Sequence, residues 1–257
     1  MTVSVLIPAY NAAETLPQTL AALKAQTRPA DEIVVCDDGS TDATSAIAAS
    51  VAGIRVIRQP NGGVSVARNT LLRAATAEII LFCDADDLPH ADWIATLAGR
   101  IESDGSDVAL CGLRAGRRLD EIRYVYPCRA DSVVDGRAFY RQQLDRTDGG
   151  YSYLPCCAFR RELVCREPVL TSPVGLKVQE DECLMLKLAR RSRKVSLVPR
   201  ALYDYVYRET SACAVHFRSS VGKPLRRQYA MRDWDKFKTS RRIRYLLSAL
   251  KNGLQAL

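Results

Sequence analysis

Residues 78–87 read Glu-Ile-Ile-Leu-Phe-Cys-Asp-Ala-Asp-Asp, an apolar run that ends in three acidic side chains. A short apolar run bounded by polar residues is typical of a strand that is buried on both faces. Similar runs lie at Val3–Ile7, Glu32–Cys36, Ile54–Ile57 and Val108–Cys111, and segments with helical spacing of apolar residues separate them. This alternation predicts an α/β fold with a mostly parallel sheet that is covered by helices on both faces.

Polar groups follow three of the predicted strands, at Pro8–Tyr10, at Asp37-Asp38 and at Asp84–Asp86. In an open parallel sheet, ligands bind beyond the carboxyl ends of the strands. We therefore expect the three groups to meet at one edge of the sheet. The second group is followed by Ser40 and Thr41, either of which is predicted to be the N-cap of the next helix.

The Asp84-x-Asp86 pair indicates a metal site. Hard divalent cations bind carboxylate oxygens, and Mg²⁺ is typically held by one or two carboxylates together with the phosphates of the substrate. A metal held in this way neutralises charge on a leaving diphosphate. Because two acids at this spacing are a short pattern, a solvated acidic turn is the alternative interpretation.

Three further groups have both a functional and a structural interpretation. Asp38 is suited to accept a hydrogen bond from a nucleobase N–H, or it belongs to an ordinary turn. Arg68 is suited to face a diphosphate, or it is a surface arginine. Glu180-Asp181 offers a general base for an acceptor hydroxyl, or it stabilises the N-terminus of a helix over residues 181–191.

Taken together, five stretches resemble the family 2 glycosyltransferases, which have the GT-A fold. They are Ser4–Asn11, Glu32–Asp42, Asn61–Asn69, Ile80–Asp87 and Glu180-Asp181. The resemblance is dense over residues 3–94 and resumes over 150–211. It implies an inverting, metal-dependent glycosyltransferase of the hexosyltransferase type, which moves a sugar from a nucleotide-sugar, a UDP-sugar, to a hydroxyl of a glycan or lipid-linked glycan. The sequence lacks the Q-x-x-R-W motif that processive synthases of this family usually carry, so we expect the addition of a single sugar. The pathway it implies is bacterial cell-surface polysaccharide or lipopolysaccharide biosynthesis.

The same resemblance implies a role for each matching residue. The nucleobase pocket would be lined by Pro8, Ala9 and Tyr10, and Asp38 would bind the uracil. The diphosphate would lie near Arg68, the ribose and metal near Asp84, and Asp86 would be the direct ligand of Mn²⁺ or Mg²⁺. The catalytic base would be Asp181, with Glu180 as the second choice.

The positive charge of the chain is concentrated at its C-terminal end. The net charge is +8, and residues 218–257 carry 11 Lys and Arg against two Asp. We expect a catalytic domain over 1–217, with a nucleotide-sugar-binding half (1–111) and an acceptor-binding half (112–217), followed by a basic helical tail over 218–257. An apolar stripe in this tail suits either peripheral binding to an anionic membrane or packing on the domain. No nucleic-acid recognition motif is visible, so we expect no nucleic-acid partner.

The expected location is cytoplasmic, and it is peripheral on the inner face of the cell membrane if the tail binds lipid rather than packing on the domain. The sequence has no evident signal peptide and no run of about 20 apolar residues. The nine cysteines include no C-x-x-C pair and are interpreted as reduced thiols.

Two other functions fit parts of the sequence. A phosphatase with an aspartyl nucleophile also has D-x-D after a buried strand, but that class usually has Thr or Val where this chain has Leu88. A non-catalytic sugar-nucleotide or lipid-binding protein of the same fold would not need Asp181. A dehydrogenase is disfavoured because no G-x-G-x-x-G follows the first strand.

Overall fold

A computed structural model of the chain describes residues 1–116, 122–126, 131–145, 153–166, 171–174, 180–208 and 248–249. The strands in these ranges are β1 Val3–Ala9, β2 Glu32–Asp37, β3 Ile54–Arg58, β4 Ile79–Phe82, β5 Leu88–Pro89, β6 Val108–Gly116, β7 Ile122–Tyr126, β8 Ser132–Asp135, β9 Cys157–Arg160 and β10 Lys194–Val206. The helices are α1 Leu16–Lys24, α2 Thr44–Ser50, α3 Val64–Ala74, α4 Trp93–Asp104, α5 Gly136–Asp145, α6 Glu162–Cys165 and α7 Glu180–Arg191, with a 3₁₀ turn at Leu154–Cys156.

The described strands form one mixed sheet in the order β3-β2-β1-β4-β9-β6-β10-β5, with β7 beside β6 and β8 beside β10. The pairs among the first four strands of the chain are parallel, as predicted, and β10 is parallel to β6. The five other pairs among the described strands are antiparallel. Two of them belong to β9, which comes from the second half of the chain and lies between β4 and β6. Both predicted halves of the catalytic domain therefore contribute to a single sheet.

Helices cover both faces of this sheet, and the strand residues alternate between two cores. In β1, Val5 and Ile7 face one core, which includes apolar side chains of α1 and α4. Leu6 faces the other core, which includes side chains of α3 and α7. Continuous apolar strands are expected where both faces of a sheet are buried. The predicted α/β architecture with flanking helices is confirmed.

The predicted N-cap at Ser40 or Thr41 is wrong. Helix α2 begins at Thr44, and the two candidate residues bind the loop that follows β1. The Asn11 N–H donates to Ser40 Oγ at 2.9 Å, and the Thr41 N–H donates to Asn11 Oδ1 at 2.9 Å. Asn11 has a positive φ of 48°, a conformation that asparagine adopts more readily than most residues. The polar groups after β2 therefore join two loops at the sheet edge.

The observed boundaries of other elements also differ from the predicted ones. The helix predicted over 12–25 begins at Leu16, and the two strands predicted at 195–198 and 202–207 are one irregular strand, β10. Shifts in the register between β10 and β6 mark the irregularity. Apart from residues 248–249, the predicted basic tail lies outside the described residues.

Candidate active site

The carboxyl ends of β1, β2 and β4 lie side by side. Strand β1 is between the other two, with Ala9 opposite Asp37 and Leu6 opposite Phe82. The loops that leave these ends carry Tyr10, Asp38 and Asp84. The three sequence groups therefore occupy one edge of the sheet, as their positions after parallel strands predict.

The first of these groups presents one side chain to solvent. Pro8 and Ala9 are buried within β1, whereas Tyr10 is 52% exposed. An exposed aromatic ring at the end of a central strand is suited to cover a flat apolar group such as a nucleobase. Within the predicted set, Tyr10 is thus the side chain available for that contact.

The carboxylate of Asp38 organises the loop that precedes α3. It accepts hydrogen bonds from Gln59 Nε2 at 2.6 Å, from the Gly62 N–H at 3.0 Å and from the Gly63 N–H at 2.7 Å. Its Oδ1 takes two of these bonds and its Oδ2 takes one. Since each carboxylate oxygen has two lone pairs, Oδ2 retains capacity for one further N–H donor. Asp38 is buried, so such a donor would have to enter the edge of the sheet to reach it.

Arg68 on α3 is the residue that joins the two halves of the site. The whole residue is 3% exposed, which rules out the surface interpretation. Its Nη1 donates to Glu180 Oε1 at 2.7 Å and also to Asp181 Oδ1, and its Nη2 donates to Asp84 Oδ1 at 3.3 Å. Burial disfavours its charge, but the three carboxylates more than compensate and raise the pKa of Arg68. One guanidinium thus brings together acids that are about 100 residues apart in the sequence.

The carboxylate of Asp181 lies in the first turn of α7, the position predicted for acids that stabilise a helix N-terminus. It also accepts a hydrogen bond from the Leu154 N–H at 3.4 Å. Burial raises the pKa of Asp181 to about 8; Arg68 opposes this rise, and Glu180 and Asp84 add to it. A raised pKa makes the ionised carboxylate a stronger proton acceptor than an ordinary one, so Asp181 is suited to act as a general base once it is ionised, above about pH 8.

The turn after β4 concentrates negative charge. Burial, together with the charge of Asp84, raises the pKa of Asp86 to about 6, although Arg208 opposes the rise. Burial and both neighbouring acids also raise the pKa of Asp87. Its Oδ2 is buried and has no hydrogen-bond partner among the described residues. A divalent cation would relieve this repulsion.

The donor set at this turn fits a cation that is shared with a substrate. Within the described ranges, no group of three or more His, Cys, Asp or Glu side chains has the arrangement of a complete metal cage. The half-buried carboxylates of Asp84 and Asp86 supply hard oxygen ligands. Sites that bind Mg²⁺ through one or two carboxylates take their other ligands from phosphates and water.

Two residues near this turn were not identified from the sequence. Tyr203 in β10 is buried, and its hydroxyl accepts a hydrogen bond from the Asp84 N–H at 3.0 Å. Arg208 donates from Nη2 to the Asp86 carbonyl oxygen at 3.1 Å. Both residues come from a part of the chain about 120 positions away, so no local pattern indicates their role.

Comparisons with known proteins concern the family and the fold of this chain. Residues 4–166 match the family described as "Glycosyl transferase family 2". The uncharacterized glycosyltransferase YibD of Escherichia coli is 39% identical over 234 residues, which are 88% of this chain and 67% of YibD.

Two solved structures share the fold. Staphylococcus aureus TarS (residues 1–349, with UDP-GlcNAc) has a TM-score of 0.73 and 23% identity over 98% of this chain and 72% of the TarS chain. The mannosyltransferase PcManGT of Pyrobaculum calidifontis, with GDP-Man and Mn²⁺, has a TM-score of 0.66 and 21% identity over 97% of this chain and 68% of its own. No helix in the described part of the chain is long and apolar enough to cross a membrane.

Proposed function

The chain belongs to glycosyl transferase family 2, and we propose that it moves a single sugar from a UDP-sugar to a hydroxyl of a glycan or lipid-linked glycan, with inversion at the anomeric carbon. As a member of this family it is a glycosyltransferase, which excludes the phosphatase alternative. The observation that carries the proposal is the convergence of Asp84, Glu180 and Asp181 on Arg68. This cluster sets a candidate base beside the turn that carries the candidate metal ligand.

We assign the proton transfer to Asp181, with Glu180 as the second choice. One oxygen of Asp181 takes the proton of the acceptor hydroxyl as that hydroxyl oxygen forms its bond to the anomeric carbon. The bond from the anomeric carbon to the leaving diphosphate oxygen breaks, and its electron pair goes to the diphosphate. Attack from the face opposite the leaving group converts an α-linked donor into a β-linked product.

Arg68 has a positioning role in this proposal as well as its predicted place near the diphosphate. Its bonds to Asp181 and Asp84 orient both carboxylates from a single rigid group. The fixed orientation of a base contributes to rate because the reacting atoms are already aligned. A guanidinium also remains charged at any pH of interest, so the orientation does not depend on its titration.

Donor binding is assigned to the edge formed by β1, β2 and β4. Tyr10 covers the nucleobase beside Pro8 and Ala9, and Asp38 accepts an N–H from the base. Asp86 would hold Mn²⁺ or Mg²⁺, and Asp84 would lie near the ribose and the metal. When bound, the metal supplies charge neutralisation for the leaving diphosphate. Binding of UDP-GlcNAc by TarS and of GDP-Man with Mn²⁺ by PcManGT supports this assignment by analogy of fold.

The acceptor class is proposed from the relatives. TarS is named a poly(ribitol-phosphate) beta-N-acetylglucosaminyltransferase, and it is 25% identical to this chain over 214 residues. We propose a role in bacterial cell-surface polysaccharide or lipopolysaccharide synthesis, at the cytoplasmic side of the membrane. Peripheral binding through 218–257 belongs to this proposal, and equal flotation of full-length protein and a 1–217 truncation with anionic vesicles would refute it.

Donor binding is tested by thermal unfolding with UDP and a panel of nucleotide-sugars, in Mn²⁺, in Mg²⁺ and in EDTA. A ligand at 100 times its dissociation constant stabilises the folded state by about 2.7 kcal/mol. We expect stabilisation by UDP or a UDP-sugar that is lost in EDTA. If no nucleotide stabilises the folded protein, the roles of Asp38 and Asp86 are wrong.

The base is tested by Asp181→Asn. We expect transfer to fall by about 10²–10⁴, because the amide cannot accept the proton, while stabilisation by the donor is retained. The matched control is Asp92→Asn, since the side chain of Asp92 forms a partly exposed ion pair with Arg200 at 2.6 Å and has no role in the proposed site. Full transfer by Asp181→Asn would show that Asp181 is not the base. If the protein is instead a non-catalytic binder, the unmodified chain itself would show no transfer.

A further inference from the structure

Three tyrosines form an exposed row beside the candidate base, at a place to which the proposed function gives no role. The ring centroids of Tyr153 and Tyr205 are 6.0 Å apart, and those of Tyr205 and Tyr207 are 5.0 Å apart. Tyr153 and Tyr207 are 43% and 44% exposed, and the half-buried Tyr205 lies between them. The row therefore exposes aromatic surface to solvent, while its middle ring, that of Tyr205, packs against the core.

The backbone of β10 explains this arrangement. Successive side chains of a strand point to opposite faces, so Tyr203 and Tyr205 share one face of β10, and Tyr207 follows at the same two-residue interval. Tyr203 is buried in the core that receives α1 and α4, and Tyr205 packs against the same core. The tyrosines thus lead outward from the turn after β4, where Tyr203 binds the Asp84 backbone, to solvent at Tyr207.

Each tyrosine of the row is next in sequence to a residue that contacts the reaction centre. Tyr153 precedes Leu154, whose N–H donates to Asp181 Oδ2 at 3.4 Å. Val206 lies between Tyr205 and Tyr207 in sequence, and its N–H donates to Asp87 Oδ1 at 3.3 Å. Because adjacent Cα atoms are about 3.8 Å apart, the row borders both the base and the acidic turn.

The arrangement of the rings suits a sugar. Tyr205 and Tyr207 pack edge to face, at an interplanar angle of 79°, and Tyr153 is tilted by 51° from Tyr205. The rings of Tyr205 and Tyr207 are not stacked face to face, and Tyr153 and Tyr207 are 43% and 44% exposed, so part of their aromatic surface is in contact with solvent. A pyranose has an apolar C–H face and a polar rim, and tyrosine offers a matching apolar face and hydroxyl.

We propose that Tyr153, Tyr205 and Tyr207 form the acceptor subsite, on which a pyranose ring of the acceptor stacks with its reacting hydroxyl towards Asp181. This inference rests on the proposed role of Asp181. The proposal implies that the reacting unit of the acceptor is a sugar, whether or not a lipid carries the glycan. This subsite is separate from the nucleobase contact that the proposed function assigns to Tyr10.

The test is saturation-transfer NMR on the full chain with UDP and diamagnetic Mg²⁺. The probes are methyl β-D-glucopyranoside, methyl β-D-galactopyranoside and methyl N-acetyl-β-D-glucosaminide, and glycerol is the non-binding control. We expect at least one glycoside to bind. Tyr153→Ala and Tyr207→Ala should weaken its binding by about tenfold, the loss of one aromatic contact. Tyr153→Phe and Tyr207→Phe, which keep the ring, should retain binding to within about twofold.

Two outcomes would overturn the proposal: no glycoside binds the unmodified protein, or the alanine variants bind as tightly as it does. Weaker UDP binding in these variants, with glycoside binding unchanged, would likewise refute it and assign the row to the donor. Tyr207→Leu, which keeps apolar bulk, replaces any alanine variant that is not folded. Tyr10→Ala should weaken UDP alone; if it does not, the donor assignment fails while the acceptor subsite stands.

Discussion

Replacement of Arg68 by methionine tests whether the carboxylate cluster exists in solution. Methionine has a similar length and no charge, so Arg68→Met leaves three acids facing one another around a 3% exposed position. Removal of one partner from a buried charge network typically costs about 3–5 kcal/mol. For a chain of this size, each kcal/mol lowers the unfolding midpoint by about 2–4 °C, so we expect a drop of about 6–20 °C.

The assay is urea unfolding followed by circular dichroism, with thermal unfolding as a second measure. The matched control is Arg55→Met, because Arg55 pairs with Glu32 at 2.9 Å while its side chain is 49% exposed. An exposed pair of this kind contributes about 0–1 kcal/mol. A loss of less than about 0.5 kcal/mol in Arg68→Met would show that the buried pairs are not formed, and the convergence on which the proposed function depends would be refuted.

Two refinements follow from the same geometry. Asp181→Asn in the Arg68→Met background should recover part of the lost stability, because it removes one carboxylate that has no counter-charge. Arg68 opposes the rise in the pKa of Asp181, so without the guanidinium the folded state holds a proton on Asp181 that the unfolded chain has released. Its stability therefore falls as pH rises, and the loss should be larger at pH 9 than at pH 6. An additive double variant or an equal loss at both pH values would contradict the shared cluster.

Three more predictions concern catalysis and stability. The kcat/KM for the acceptor should rise with pH and level off above about pH 8, because a raised pKa keeps Asp181 protonated at lower pH; a flat profile from pH 6 to 9 would contradict the base assignment. Gly39→Ala should lower the free energy of unfolding by about 1–3 kcal/mol, because φ is +77° and the new Cβ would lie 2.8 Å from a backbone nitrogen. Its control is Gly99→Ala, in a helix with open space around the new Cβ, which should raise the free energy of unfolding by about 0.5–1 kcal/mol. Urea unfolding measures both. Arg28 and the N-terminal amine hold the pKa of Glu102 at about 2. The ion pair of Glu102 therefore stabilises the fold above the unfolded pKa of about 4.3, and this stabilisation is lost as pH falls towards 2. In Glu102→Gln, the free energy of unfolding should fall less steeply between these pH values, and an unchanged pH dependence would refute the pairing.

Local sequence was a good guide where one segment carries both a strand and its polar terminus. The run Ile80–Asp87 predicted a buried strand followed by acids, and the structure has β4 and the acidic turn there. Cap chemistry was a poor guide after β2, because Ser40 and Thr41 bind Asn11 from another loop. A side chain that can cap a helix can equally satisfy a neighbouring loop, and the choice depends on which backbone groups lie within reach.

The pattern of apolar runs and their acidic ends was sufficient to predict the α/β architecture, the common edge of β1, β2 and β4, and the set of acids that face it, because these follow from local periodicity and from the direction of parallel strands. The tertiary structure was needed to show that Arg68 is buried, that it holds Asp84 and Asp181 on one guanidinium, and that Tyr153 lies beside Tyr205. These contacts join residues between 16 and 113 positions apart. No local pattern encodes them, because each depends on how separate segments pack: the contact of Arg68 with Asp181, for example, requires α3 and α7 to lie on the same core.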